Sequence, residues 1–219
     1  MKALILKDLR VLRPYWWIIV PAHALFSANG IISPEVFFAM SVVLALALTM
    51  ALLIIEWQQD ADRFVSSLPV SRSQVVHARY AWALGVALCG TVLFALYGRV
   101  LLAFATPRLH ERWPGTPGWE SVEDLLGFFL VVWLVSVAYL PFYFRSGLGK
   151  GTWLFVACAA PAIVGGAVLS RWLSPSWTLT AAAEVTGTAV TVVGALVVAA
   201  VLGFLSLRLS LRFYDRRDL

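Results

Sequence analysis

The feature that most constrains this chain is a series of six apolar runs, each close to the length that crosses a bilayer. The hydrocarbon core of a membrane needs about 20 apolar residues per helix, because backbone groups left unpaired in lipid are costly. Hydrophobic residues make up 61% of the chain and charged residues 13%, which is typical of an integral membrane protein. We therefore expect an all-α integral membrane protein with six transmembrane helices, near residues 15–32, 36–57, 81–105, 125–144, 153–170 and 186–207.

The distribution of Lys and Arg predicts the orientation of these helices. Six spans place both termini on one side, and short basic loops are retained in the cytoplasm. The side of the termini carries thirteen of these residues: Lys2, Lys7, Arg10, Arg13, Arg63, Arg72, Arg79, Arg145, Lys150, Arg208, Arg212, Arg216 and Arg217. The other side carries Arg108, Arg112 and Arg171. Both termini are therefore predicted to be cytoplasmic.

Residues 1–14 are predicted to form an amphipathic helix on the inner leaflet. At 100° per residue the four basic side chains fall within an arc of about 140°, opposite most of the apolar ones. Pro14 would end or bend this helix before the first span. The alternative is a basic flank that only orients the first span. The connection at 171–185 is predicted to be a short re-entrant or interfacial element.

The polar segment at 58–80, between the second and third spans, is predicted to be a rigid cytoplasmic loop followed by a helix. Ser71 and Gln74 have the spacing of a capping box, so a helix should begin near Arg72. Pro69 keeps Leu68 extended and makes the entry to that helix sharp. The residues that shape this segment or could contact a partner protein are Leu68, Pro69, Val70, Ser71, Arg72 and Gln74.

Two charged residues in or near the spans are candidates for a pathway or interface. Arg99 lies within the third span, where a charge at the bilayer centre costs about 2.5–3.5 kcal/mol. It could face a pathway, or it could snorkel to the outer headgroups. Glu56, at the inner end of the second span, could likewise face a pathway or interface, or it could simply lie at the inner membrane–water interface. In the sixth span a stripe of small residues predicts close helix packing: Gly187, Thr191, Ala195, Ala199 and Gly203.

No pattern in the chain indicates an enzyme, a cofactor site or a metal site. The three histidines, His23, His77 and His110, lie in different regions without metal-ligand spacing. Cys89 and Cys158 lie in apolar runs and are predicted to be small packing residues. In the segment "RSGLGKGTW" at 145–153, Gly151 stands where a phosphate loop needs Ser or Thr, so the segment predicts a short positive cytoplasmic turn instead.

Three short motifs resemble those of exporter-type ABC transporter permeases of the ABC-2 class. The segment "DADRFVSSLPVSRSQVVHARY" is similar to their cytoplasmic loop, "LSLRFYDRRDL" to their C-terminal end and "MKALILKDL" to their start. Arg79 stands where a lysine is more usual, which keeps the charge. The motifs lie at the start, the middle and the end of the chain, so the resemblance extends over its whole length.

The resemblance implies a permease subunit in the cytoplasmic membrane of a prokaryote. Two copies, or this chain and a sister permease, would form the pathway. Separate ATPase subunits, which would bind ATP and Mg²⁺, would dock on the 62–80 loop. The chain itself would have no catalytic activity and no nucleic-acid partner. The alternative is a stand-alone multi-span membrane protein, such as an immunity or assembly factor. The resemblance identifies neither the transported substrate nor the choice between homodimer and heterodimer.

Overall fold

The computed structural model describes residues 34–58, 71–104, 122–173 and 188–216, together with positions 10, 13, 17, 21 and 25. Within these ranges the chain forms four helices and no strand: α1 (Pro34–Gln58), α2 (Arg72–Phe104), α3 (Val122–Leu173) and α4 (Thr188–Asp215). Each helix contains a segment long and apolar enough to cross a membrane. The all-α membrane class is therefore confirmed.

Several predictions from the sequence lie outside the described residues. The structure describes only single positions of the N-terminal amphipathic helix at 1–14 and of the first span at 15–32. Of the element at 171–185 it describes only residues 171–173, at the end of α3. The predicted second, third and sixth spans coincide with parts of α1, α2 and α4. The total of six spans and the cytoplasmic termini stay predictions.

Helix α3 is a hairpin of two helices rather than one straight rod. Its backbone leaves helical geometry at Gly147, where φ is 74° and ψ is 179°. Beyond this point the chain reverses, since the Tyr139 and Thr152 hydroxyls are 3.0 Å apart and the Tyr139 and Phe155 rings 5.4 Å apart. A straight helix would separate positions 139 and 155 by about 24 Å. The two limbs, 122–146 and 148–173, contain the predicted fourth and fifth spans, and the turn predicted within 145–153 is confirmed.

The chain divides into two compact units, Met1–Ser136 with Asp218–Leu219, and Val137–Arg217. In the first unit, α1, α2 and the start of α3 share a core of seven buried residues: Val42, Ala45, Val86, Ala87, Phe94, Phe128 and Val132. The rings of Phe94 and Phe128 stack at 4.9 Å. A Cβ at Gly90 would lie 3.2 Å from the Phe128 ring, so this glycine permits the close approach of α2 and α3.

In the second unit, a proline determines one contact between α3 and α4. Pro141 has no N–H, so the carbonyl of Val137 lacks its usual donor four residues ahead. The Ser206 hydroxyl of α4 donates to that carbonyl at 2.6 Å. Serine side chains that satisfy such freed backbone groups are a common reason why proline is tolerated in membrane helices.

The small-residue stripe of α4 faces inward where its side chains are described. Ala199 is buried and Gly203 is buried, whereas Ala195 is half-buried. This confirms the prediction that the stripe packs against other parts of the chain in this region. Cys89, in contrast, is exposed on α2, so the described helices do not provide the packing predicted for it.

Candidate functional site

The candidate site is the start of α2, where a capping box fixes the first turn of the helix. The Ser71 hydroxyl accepts a hydrogen bond from the Gln74 backbone N–H at 3.3 Å. In return, the Ser71 N–H donates to the Gln74 side-chain oxygen, also at 3.3 Å. The two bonds satisfy donors that a helix start otherwise leaves unpaired, so the predicted capping box and the helix start at Arg72 are confirmed.

A further hydrogen bond continues this ordered turn along the helix. The His77 Nδ1 atom is 2.6 Å from the carbonyl oxygen of Ser73. Because a carbonyl oxygen only accepts, the Nδ1 atom carries the proton in this contact. The first six residues of α2 are therefore held by their own side chains as well as by the backbone.

The exposed and buried residues of this segment separate cleanly. Ser71, Arg72, Ser73 and Gln74 are all exposed. Apart from the half-buried His77, the residues that follow are buried: Val75, Val76, Ala78, Arg79 and Tyr80. A surface of four polar residues therefore lies on a base that is packed into the protein. This surface, residues 71–74, is called the α2 tip below.

The α2 tip and the membrane part of α2 form one continuous helix. From Arg72 to Phe104 the helix has 33 residues and no break. At 1.5 Å per residue it is about 50 Å long, against about 30 Å for the bilayer core. The tip lies about 14 Å before the start of the predicted third span. The α2 tip and the predicted third span thus belong to one unbroken helix.

The structure describes only some of the other predicted site residues. Leu68, Pro69 and Val70 lie outside the described residues. Glu56 belongs to α1, but its side chain is not described. Arg99 is exposed on α2, far along the helix from the tip. The roles of Arg99 and Glu56 in a pathway or interface stay predictions.

The C-terminal motif is a packing element in the second unit, which the sequence analysis missed. Tyr214 is buried, and its ring meets Phe144 edge-on at 5.2 Å. The Arg145 guanidinium lies over the Phe213 ring at 5.4 Å. The motif therefore attaches the end of α4 to the end of the first α3 limb. The aromatic cluster "PFYFR" at 141–145 was the available sign of a packing site.

The long apolar helices and the capped end of α2 define a multi-span helical membrane protein. A comparison with protein families matches residues 3–215 to the family described as ABC-2 family transporter protein. Since the match covers nearly the whole chain, this protein belongs to the ABC-2 family of transporter membrane proteins. Comparisons with curated proteins and with solved structures gave no match. The family indicated by the three short motifs is thus confirmed, and it makes the chain an ABC-type permease, the membrane component of a transporter.

Proposed function

We propose that this chain is the permease subunit of an ATP-driven exporter in a prokaryotic cytoplasmic membrane, and that the α2 tip couples it to a separate ATPase subunit. Two permease chains, identical or homologous, form the pathway in this proposal. ATP and Mg²⁺ are bound by the ATPase, and this chain supplies none of the reacting groups.

The observation that most supports the proposal is that α2 continues without a break from the α2 tip into the predicted third span. An exposed polar tip with a fixed first turn is suited to contact a soluble partner. The buried base at Val76 and Arg79 fixes the helix in the first unit, so a force on the tip is not lost in a flexible loop. Closure of two ATPase subunits on ATP would move both tips and bias the membrane helices between inward-open and outward-open states.

The test is the charge reversal Arg72→Glu. Position 72 is the first residue of α2, where a carboxylate is favoured by the helix dipole by about 0.3–1 kcal/mol. The capping bonds run between Ser71 and Gln74 and are unaffected by this change. The variant should therefore insert and fold normally. Reversing a charge in a contact with a partner costs on the order of 2–5 kcal/mol, so ATPase binding should weaken by at least tenfold.

The experiment compares, for each variant, the amount of ATPase subunit that co-purifies with the tagged chain and the rate of ATP hydrolysis by the purified complex. Arg216→Glu is the matched control, because it reverses an exposed charge of the second unit outside the α2 tip. Val70→Asp serves as a second change in the coupling segment. Full ATPase binding and hydrolysis with both Arg72→Glu and Val70→Asp would contradict the proposal. They would leave the alternative, a membrane protein that works without an ATPase.

A further inference from the structure

The exposed face of α4 changes from apolar to basic along the helix. Arg208 and Arg212 are four residues apart on the helix, within an arc of about 40°, and Arg216 follows just after the helix ends. All three are exposed. The same arc is continued toward the start of the helix by exposed apolar side chains: Val197, Val201, Phe204 and Leu205. The opposite face is buried and carries Ala199, Gly203, Ser210 and Tyr214.

Arg208 marks the boundary between the apolar and the basic part of this face. Its guanidinium lies over the Phe204 ring, 5.0 Å from the ring centre. A cation on an aromatic face is stabilised by about 0.5–2 kcal/mol, depending on its desolvation. Within the described part of the chain, Arg208 forms no ion pair with a carboxylate. The Arg208 charge therefore lies beside the apolar part of the α4 face, where an anion from outside the chain could balance it.

The spacing of these arginines suits one phosphate group. Side chains four residues apart on a helix have Cβ atoms about 5–6 Å apart, so Arg208 and Arg212 can approach one anion together. The planar guanidinium binds phosphate through two parallel N–H donors. Asp215 is the acidic residue on the same face, and three arginines against this one aspartate leave two net positive charges.

We propose that this face of α4, residues 201–212, is a binding site for an anionic phospholipid. Arg208 and Arg212 hold the headgroup phosphate, and Val201, Phe204 and Leu205 contact the acyl chains. The face presents cations and apolar side chains within two helical turns. A phospholipid matches both, because its phosphate is anionic and its acyl chains are apolar. The site is independent of the coupling proposed for the α2 tip.

The test measures how spin-labelled phosphatidylglycerol and phosphatidylcholine associate with the full-length protein in phosphatidylcholine vesicles. The wild type should prefer phosphatidylglycerol, and the preference should fall as salt is added. Arg208→Gln combined with Arg212→Gln should lower the preference by about fivefold for each arginine, as expected for about 1 kcal/mol per cation near an anionic surface. Arg208→Lys combined with Arg212→Lys keeps both charges and should retain an intermediate preference.

The matched control is Arg145→Gln combined with Lys150→Gln. This pair removes the same charge from exposed positions of the same unit, and Arg145 also lies over a phenylalanine ring. The control should keep most of the preference. An equal loss in the Arg208→Gln, Arg212→Gln variant and in this control would show only a diffuse attraction to the membrane. That result would overturn the proposal. Unchanged lipid preference with loss of ATPase binding in the Arg208 and Arg212 variant would also overturn it, because the face would then bind protein.

Discussion

The contact between Ser206 and the Val137 carbonyl yields a double-mutant prediction. The carbonyl has no backbone donor because residue 141 is proline, so the Ser206 hydroxyl at 2.6 Å replaces the missing N–H. Ser206→Ala leaves a buried carbonyl unpaired, which should lower the free energy of unfolding by about 1–3 kcal/mol. Pro141→Ala supplies an N–H at position 141, and that N–H can pair with the Val137 carbonyl as in an ordinary helix. In the Pro141→Ala background, Ser206→Ala should therefore cost only about 0.5 kcal/mol.

The coupling energy between the two changes should thus be about 0.5–2.5 kcal/mol. Independent sites add to within about 0.3–0.5 kcal/mol, so this coupling is measurable. The assay is thermal unfolding of the purified protein in detergent, followed by tryptophan fluorescence at one scan rate. For a chain of this size, 1 kcal/mol corresponds to about 2–4 °C in the midpoint. The shift of the single Ser206→Ala variant is compared with its shift in the Pro141→Ala background.

Ser136→Ala is the control for loss of a buried hydroxyl. The Ser136 hydroxyl donates to the Val132 carbonyl at 2.7 Å, but that carbonyl also has the helical N–H of residue 136. Its removal should therefore shift the midpoint less than Ser206→Ala. Equal shifts for Ser206→Ala with and without Pro141 would refute the reasoning, because Ser206 would then not be the substitute for the missing donor.

Two further predictions concern the α3 hairpin and the topology. Gly151→Ala should destabilise the protein by about 1–3 kcal/mol, because its Cβ would lie 2.7 Å from the Phe142 carbonyl oxygen. The control is Gly149→Ala, whose Cβ would meet nothing within 4 Å. This change should be neutral or stabilising by up to about 1 kcal/mol. Thermal unfolding of the two variants checks this, and similar midpoints would argue against close limb packing. Reporters inserted near Gly147 or fused after Leu219 should be cytoplasmic, and one near Gly115 external. A cytoplasmic result near Gly115 would rule out the six-span arrangement.

The start of α2 was predictable because capping is local. Ser71 and Gln74 are three residues apart, and the hydrogen bonds between them depend on little else. The turn within 145–153 was predictable for the same reason, since glycines and charges interrupt an apolar run there. The membrane class followed from the apolar runs alone, because their length matches a bilayer. The family followed from short motifs that are read along the chain without knowledge of its packing.

The pairing of helices was decided only by the tertiary structure. Ser206 and Val137 are 69 residues apart, and although Pro141 predicts that the Val137 carbonyl needs another donor, it does not predict that Ser206 supplies it. Arg79 is buried and Cys89 is exposed, although Arg79 is charged and Cys89 lies in an apolar run. In a soluble helix the polar face would show which side turns outward. In a membrane the lipid is as apolar as the protein core. The sequence of an apolar span therefore does little to distinguish the face that meets lipid from the face that meets another helix.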